Sequence, residues 1–414
     1  MIFKRFFIVF FGFSGLYSSL VAQNYFTTPY SRYGLGELFA VNTPRNAAMG
    51  GGGLASVSTI YWNPQNIASS ARLKFTTVEV GVFTQNLFLQ SSIDNNRLFN
   101  AGISGVQLAF PANKIYCFSM GIKPFSRTGY QLEQTQPVEG TNFNSLVRYE
   151  GKGGISEIFI GNAFQLNKKL SVGVQTGYLF GFITNNARIF FDDSVKAQYA
   201  TIYRKTNYQG LMWNIGSIYD AKLNSRWQLR TGINATLPAT IVAKRNVIYD
   251  NASLADTLIT THKNTVTPFK LGIGWELENI KGRNFVLDIQ YQPWSQYDLG
   301  VNERFNDMIR ISAGAEIIPD FTSIRSYLKR VNYRFGVFWQ QNYFLPSQNS
   351  IPVTTVGLTL GTGLPIKRNL SRGHFSAEIG FRGYFPEQNL KEIYAKCIFS
   401  ITLSDKWFVR RKLD

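Results

Sequence analysis

The chain has 414 residues, 44% of them hydrophobic and 15% aromatic, with a formal net charge of +18. Beyond the N-terminus no apolar run approaches the ~20 residues of a spanning helix, which excludes a helical membrane protein. Two cysteines and two histidines give neither a disulfide framework nor metal-ligand spacing. The basic residues are scattered singly, against the concentrated basic face of a nucleic-acid-binding protein.

The chain opens with Met1-Ile2-Phe3-Lys4-Arg5, an apolar stretch from Phe6 to Phe13, and the small residues Gly15, Ser18, Ser19 and Ala22. This pattern predicts a signal peptide over 1–22. A retained anchor would need a second basic flank, which is missing. Residues 23–72 do not alternate in polarity and are rich in Gly, Asn, Pro and Thr, a composition that resists regular structure. In a barrel this segment would start on the periplasmic side and fold into the lumen as a hatch. Gly50, Gly51, Gly52, Gly53, Asn63 and Pro64 are its candidate site residues. Either they form a compact bend whose backbone lines a ligand site, or they are a turn leading into the first strand.

Residues 73–404 carry about fourteen segments of alternating polarity. They lie near 75–85, 102–110, 115–126, 147–165, 170–183, 208–222, 227–238, 268–277, 284–294, 307–317, 331–341, 353–363, 374–384 and 393–403. Phe285-Val286-Leu287-Asp288-Ile289-Gln290-Tyr291-Gln292 is the clearest. Short turns at 111–114, 166–169 and 223–226 alternate with long loops at 127–146, 184–207 and 239–267. Outer-membrane barrels have that rhythm; a soluble sandwich has no reason for it. The connection 318–330 departs from it, and Phe321–Leu328 is expected to form a small periplasmic helix. The fold predicted is all-β: a fourteen-stranded antiparallel transmembrane barrel, with a basic periplasmic tail at 405–414.

The two faces of each strand separate. Ile309, Ile311, Phe375, Ile379, Leu271 and Ile273 are expected to face lipid, and their neighbours the lumen. A charge on the lipid face at the midplane costs ~2–4 kcal/mol, so charges belong inside. Asp288, Arg310, Glu316, Arg334, Glu378, Arg382 and Lys396 are the lumen-lining candidates. Either they guide an amphipathic ligand or they form an ion-pair ladder that holds the hatch. Pro124 interrupts the third segment: it either kinks the wall into a lateral exit or ends the strand at the outer rim. Cys117 is expected inward and Cys397 outward, leaving two free thiols. Trp227, Tyr116, Trp294, Tyr297 and Tyr343 are expected in the aromatic girdles. His262 and His374 are expected at the surface. No nucleophile elbow or cofactor motif suggests an enzyme.

Three stretches carry a family resemblance: Thr28-Pro29-Tyr30-Ser31-Arg32-Tyr33-Gly34-Leu35-Gly36-Glu37-Leu38; Arg45-Asn46-Ala47-Ala48-Met49-Gly50-Gly51 with Tyr61-Trp62-Asn63-Pro64; and Asp405-Lys406-Trp407-Phe408-Val409-Arg410-Arg411-Lys412. Together they resemble the FadL-like outer-membrane hydrophobic-compound transporters, in the form common among Bacteroidota. The resemblance implies a monomeric fourteen-stranded barrel with its lumen plugged by the N-terminal hatch. It further implies passive uptake of hydrophobic or amphipathic small molecules resembling long-chain fatty acids, with exit at a kink in the third strand. Gln65 stands where the family usually has Ala after the Asn-Pro pair. The wider group also resembles non-transporting barrel subunits of protein-secretion or assembly complexes. The expected partners are therefore outer-membrane lipids, a hydrophobic small molecule and, on the second reading, envelope proteins.

Overall fold

Alternation forces strands here because successive side chains leave opposite faces of an extended chain. The computed structural model describes residues 27–39, 43–91, 95–137, 144–191, 200–251, 254–296, 304–346, 351–366, 370–384 and 388–407. The stretch expected to be a signal peptide, Tyr297 and the tail beyond Trp407 lie outside them. A two-residue strand, β1 (Glu37–Leu38), comes first. Then come β2 (Thr76–Ser91), β3 (Asn95–Pro111), β4 (Tyr116–Pro137), β5 (Asn144–Gln165), β6 (Leu170–Phe191), β7 (Ala200–Lys222) and β8 (Trp227–Thr236). The second half holds β9 (Ala239–Asn251), β10 (Leu254–Thr267), β11 (Lys270–Asn279), β12 (Arg283–Gln292) and β13 (Met308–Ile317). The last are β14 (Asn332–Gln341), β15 (Thr354–Pro365), β16 (Arg372–Arg382) and β17 (Leu390–Asp405).

Fourteen of these strands close a ring. β17 pairs antiparallel with β2 along its whole length, from Leu390 opposite Ser91 to Asp405 opposite Thr76. β8 pairs directly with β11. Each predicted segment corresponds to one wall strand. The stretch 239–267, expected as a loop, is instead the hairpin β9–β10. It leaves the ring between β8 and β11, and β9 continues the sheet beside the upper end of β7. Both faces of β10 mix polar and apolar residues, so alternation could not reveal it.

The outer surface is apolar where lipid would lie: Val80, Val82, Ile158, Ile160, Ile289, Ile311 and Ile379 are all exposed. Cys117 is buried inside the wall, Cys397 sits on the outward parity of β17, and both are free thiols. The short turns share one device. Asn113, Asn167 and Asn224 each accept, through Oδ1, the backbone N–H groups two and three residues on, at 2.8–2.9 Å. Such a side chain mimics a turn of backbone.

Three further expectations need correction. Phe321–Leu328 is not a helix; a 3-10 turn occupies only Leu328–Arg330. The Asp320 carboxylate takes the N–H and hydroxyl of Thr322, a local alternative to helical bonding. Trp294 and Tyr343 are not girdle residues: both are buried, Trp294 completely. Their ring centroids lie 4.7 Å apart, the planes tilted by 32°, within a cluster that includes Tyr30, Leu35 and Phe305 and caps the lumen's outer end. His374 is buried on the lumen face rather than at the surface.

Candidate lumen site and lateral seam

The N-terminal segment fills the ring, and wall glycines make the room. Ideal Cβ atoms on Gly232, Gly314, Gly336 and Gly361 would lie 2.2 Å from Leu54 O, 2.6 Å from Met49 Cβ, 2.3 Å from Gly50 N and 2.4 Å from Ala48 Cβ. Those on Gly173 and Gly216 would lie 2.9 Å from Ile67 Cγ2 and 2.1 Å from Asn66 Oδ1. These glycines occupy inward positions on β6, β7, β8, β13, β14 and β15. They form a belt that only a chain without side chains could make this narrow. Within the segment Gly50 has φ +71°, a conformation that costs other residues steric strain.

Polar contacts then bind segment to wall. The Asp288 carboxylate accepts the N–H groups of Gly53 (2.7 Å) and Leu54 (2.9 Å). Arg310 donates to Gly50 O at 2.8 Å and lies over the Phe338 ring. Gly50 N–H donates to Thr359 Oγ1 at 2.9 Å. Asn63 Nδ2 donates to the carbonyls of Gly53 and Ser56, and Gln65 Nε2 to Gly51 O. Asn63 thus folds the glycine stretch back on itself. Gly52 packs against Val286. Pro64 lines a cavity with Gln65.

The remaining predicted charges divide into pairs. Glu316 binds Arg334 at 2.6 Å and reaches Arg45 of the segment at 3.8 Å; Arg334 also donates to His374 Nδ1. Arg382 bridges Glu392 (3.0 Å) and Glu37 of β1 (2.5 Å). Tyr394 donates to Glu378 at 2.7 Å, and Lys396 stands over the rings of Phe39 and Phe83. Sequence reasoning did not single out the segment's own partners, Glu37 and Arg45. Nor did it find the cluster in which Arg230 binds Asp220, Glu276 and Glu278 while Arg72 binds Asp220. A lone basic residue in an irregular segment carries no periodic signal that could flag it.

The wall has one seam. β3 pairs with β4 only from Val106 opposite Ile122 to Pro111 opposite Cys117. Above that level no ladder joins them among the described residues, whereas β4 and β5 stay paired to Pro137. Two bulges mark the parting: the register of β3 shifts near Gly105, and that of β4 between Pro124 and Ser126. Pro124 therefore does not end its strand. It sits where the strand leaves its neighbour, and proline cannot supply a ladder N–H. β1 takes the vacated edge from inside, with Glu37 opposite Arg127 and Leu38 opposite Ser126, and Phe39 N–H donates to Phe125 O. The Arg127 guanidinium reaches across to Ile103 O at 3.3 Å.

A cavity of about 140 Å³ lies inside the seam, with Phe39, Pro124 and Phe125 on the seam side and Met212, Lys270 and Arg310 opposite. A smaller one of about 70 Å³ lies beyond Phe39, beside Glu378, Arg382 and Lys396. Lys123 is paired with Glu157 at 3.4 Å. Among the described residues, no carboxylate comes within ion-pair distance of Lys270, the cavity's other lysine.

A family model described as BamG matches residues 1–414. Among solved structures, the chain is similar to the CymD monoaromatic hydrocarbon channel: 15% identity, TM-score 0.60, covering 91% of this chain and 99% of that one. It is also similar to the toluene transporter TbuX of Ralstonia pickettii, at 13% identity and TM-score 0.58, over 87% and 97% of the two chains. A FadL homologue of Pseudomonas aeruginosa follows at 11% identity and TM-score 0.53, over 92% and 98%. At these identities the likeness shows the fold. None of the curated proteins matches the chain.

Proposed function

The chain belongs to the BamG family, and from that premise we propose that it is an outer-membrane channel for passive uptake of hydrophobic or amphipathic small molecules. The seam carries this reading: the wall parts beside a lumen cavity, and the parting is closed by a two-residue strand of the N-terminal segment and the Arg127–Ile103 hydrogen bond. A ligand of long-chain fatty-acid type would enter from outside and displace β1 from the edge of β4. It would then leave between Ile103 and Pro124 into the bilayer. Lys270 gives the cavity a site for an anionic head, and Phe39, Phe125 and Met212 give it an apolar wall. A dry cavity of roughly 150 Å³ holds one benzene, so the closed state accommodates a single ring or a few methylenes. A full acyl chain requires the hatch to yield.

A second reading is a non-transporting barrel subunit of a protein-secretion or assembly complex. It is favoured by the hatch's fastening on many sides, through Asp288, Arg310, Glu316 and Arg382. One experiment separates the two. The Leu38→Cys/Ser126→Cys double variant places cysteines at paired positions, within disulfide reach in an antiparallel ladder. Uptake of radiolabelled oleate and toluene by cells should stop on oxidation and return on reduction. Full uptake by the oxidised variant, or by a deletion strain with impaired export of surface proteins, would replace the channel reading with the second.

A further inference from the structure

We propose that the outward face of the sheet β5–β6–β7–β9–β10, just above the apolar belt, binds the phosphate headgroup of an outer-leaflet lipid. This surface is distinct from the lumen and the seam. The register places its side chains. One cross-strand row reads Lys152, Thr184, Lys205, Asn246, Thr260. The next row toward the membrane reads Gly154, Phe182, Asn207, Lys244, His262. Parity assigns both rows to the lipid side, because Ile158, Tyr178, Phe182 and Leu211 on the same strands and parity are exposed.

Three lysines therefore project from two adjacent rows that contain no acidic residue. Adjacent strands lie ~4.8 Å apart and rows ~6.6 Å apart, so Lys205 stands roughly 10 Å from Lys152 and roughly 8 Å from Lys244, each pair within reach of one phosphate, with Lys205 shared between them. Lys152, Lys205 and Lys244 are exposed, and among the described residues none has a carboxylate at ion-pair distance. The nearest acid on this face is Glu150, one row above. Arg148, above that, is already paired with Glu133 at 2.8 Å. The Lys205 ammonium lies 4.6 Å from the centre of the Phe182 ring, so charge and apolar surface meet at one level.

That continuity selects a lipid over a free anion. On β6 and β7, acyl chains would run along Tyr178, Phe182, Leu211 and Trp213, which carry the lipid side directly into the lysine rows. A phosphate held there would accept charge-assisted hydrogen bonds from Lys205 and one of its two lysine neighbours.

The test uses the full-length barrel in detergent, with native mass spectrometry of bound lipid. Phosphatidic acid, phosphatidylglycerol, phosphatidylcholine and sodium phosphate are added in turn. The two acidic lipids should form adducts that survive activation, and phosphatidylcholine should not. The Lys152→Gln/Lys205→Gln/Lys244→Gln variant should lose them by at least tenfold, whereas Lys391→Gln, outside this sheet, should not. The three lysines of the triple variant are exposed, and heat-modifiable gel migration checks that the barrel is folded. Equal adducts on the folded triple variant would overturn the site. Displacement by sodium phosphate at concentrations equal to the lipid would overturn its assignment to lipid.

Discussion

Substituting Gly336 by alanine tests whether the N-terminal segment is wedged against the wall. The new methyl would lie 2.3 Å from Gly50 N, against an ordinary contact of 3.4 Å or more. The segment's backbone must therefore retreat by roughly 1 Å. Gly50 would then lose its bonds to Thr359 (2.9 Å) and Arg310 (2.8 Å). Overpacking costs ~1–3 kcal/mol, and each buried bond left unmade ~1–3 kcal/mol. Together that is about 3–9 kcal/mol of docking of the N-terminal segment, or ~10²–10⁶ in its opening equilibrium at ~1.4 kcal/mol per decade. Hydrogen exchange in nanodiscs reads this directly from peptides covering residues 45–56. Gly373→Ala is the matched control, since nothing lies within 4 Å of its Cβ position. Exchange in those peptides unchanged in folded Gly336→Ala protein would refute the wedge.

Other contacts make separate predictions. Asp288→Ala removes the acceptor shared by Gly53 and Leu54; exchange at those two amides should rise by ~10–100-fold, at ~1.5–3 kcal/mol for a charged bond. Arg382→Ala strands Glu392 and Glu37 without their cation, which should cost ~3–5 kcal/mol, visible as a lower melting temperature that Arg382→Lys partly restores. Lys270→Gln should weaken binding of a fluorescent carboxylate-tailed amphiphile by ~10-fold or more while leaving a neutral monoaromatic unaffected, measured by fluorescence titration in detergent.

The wall was legible because its physics is periodic. The alternation through Phe285–Gln292 and Ile309–Glu316 reported which side chains meet lipid, and the same parity placed Cys117 and Cys397 on opposite faces. Legibility stopped where forces act across distance. Nothing local in Arg45 or Glu37 announces a partner on β13 or β16. Trp294 and Tyr343 sit at strand ends, where aromatic residues usually mark the interface, yet here they close a cap over Tyr30 and Leu35. Pro124 drew attention by its chemistry. The parting beside it depends on how β3 and β4 register against each other, which no single strand encodes.

The asparagine at each tight turn bears on how the chain reaches its native state. Asn113, Asn167 and Asn224 close their hairpins using only neighbours two or three residues away, so those hairpins can nucleate independently, at little loop-closure cost. The ladder between β2 and β17 is the opposite case, joining the two ends of the barrel across some three hundred intervening residues. Contacts of such separation form late. Biogenesis should thus proceed as a curved, hairpin-seeded sheet growing from one rim. Its final event is the union of first strand with last, and until then both edges stay open to any templating surface.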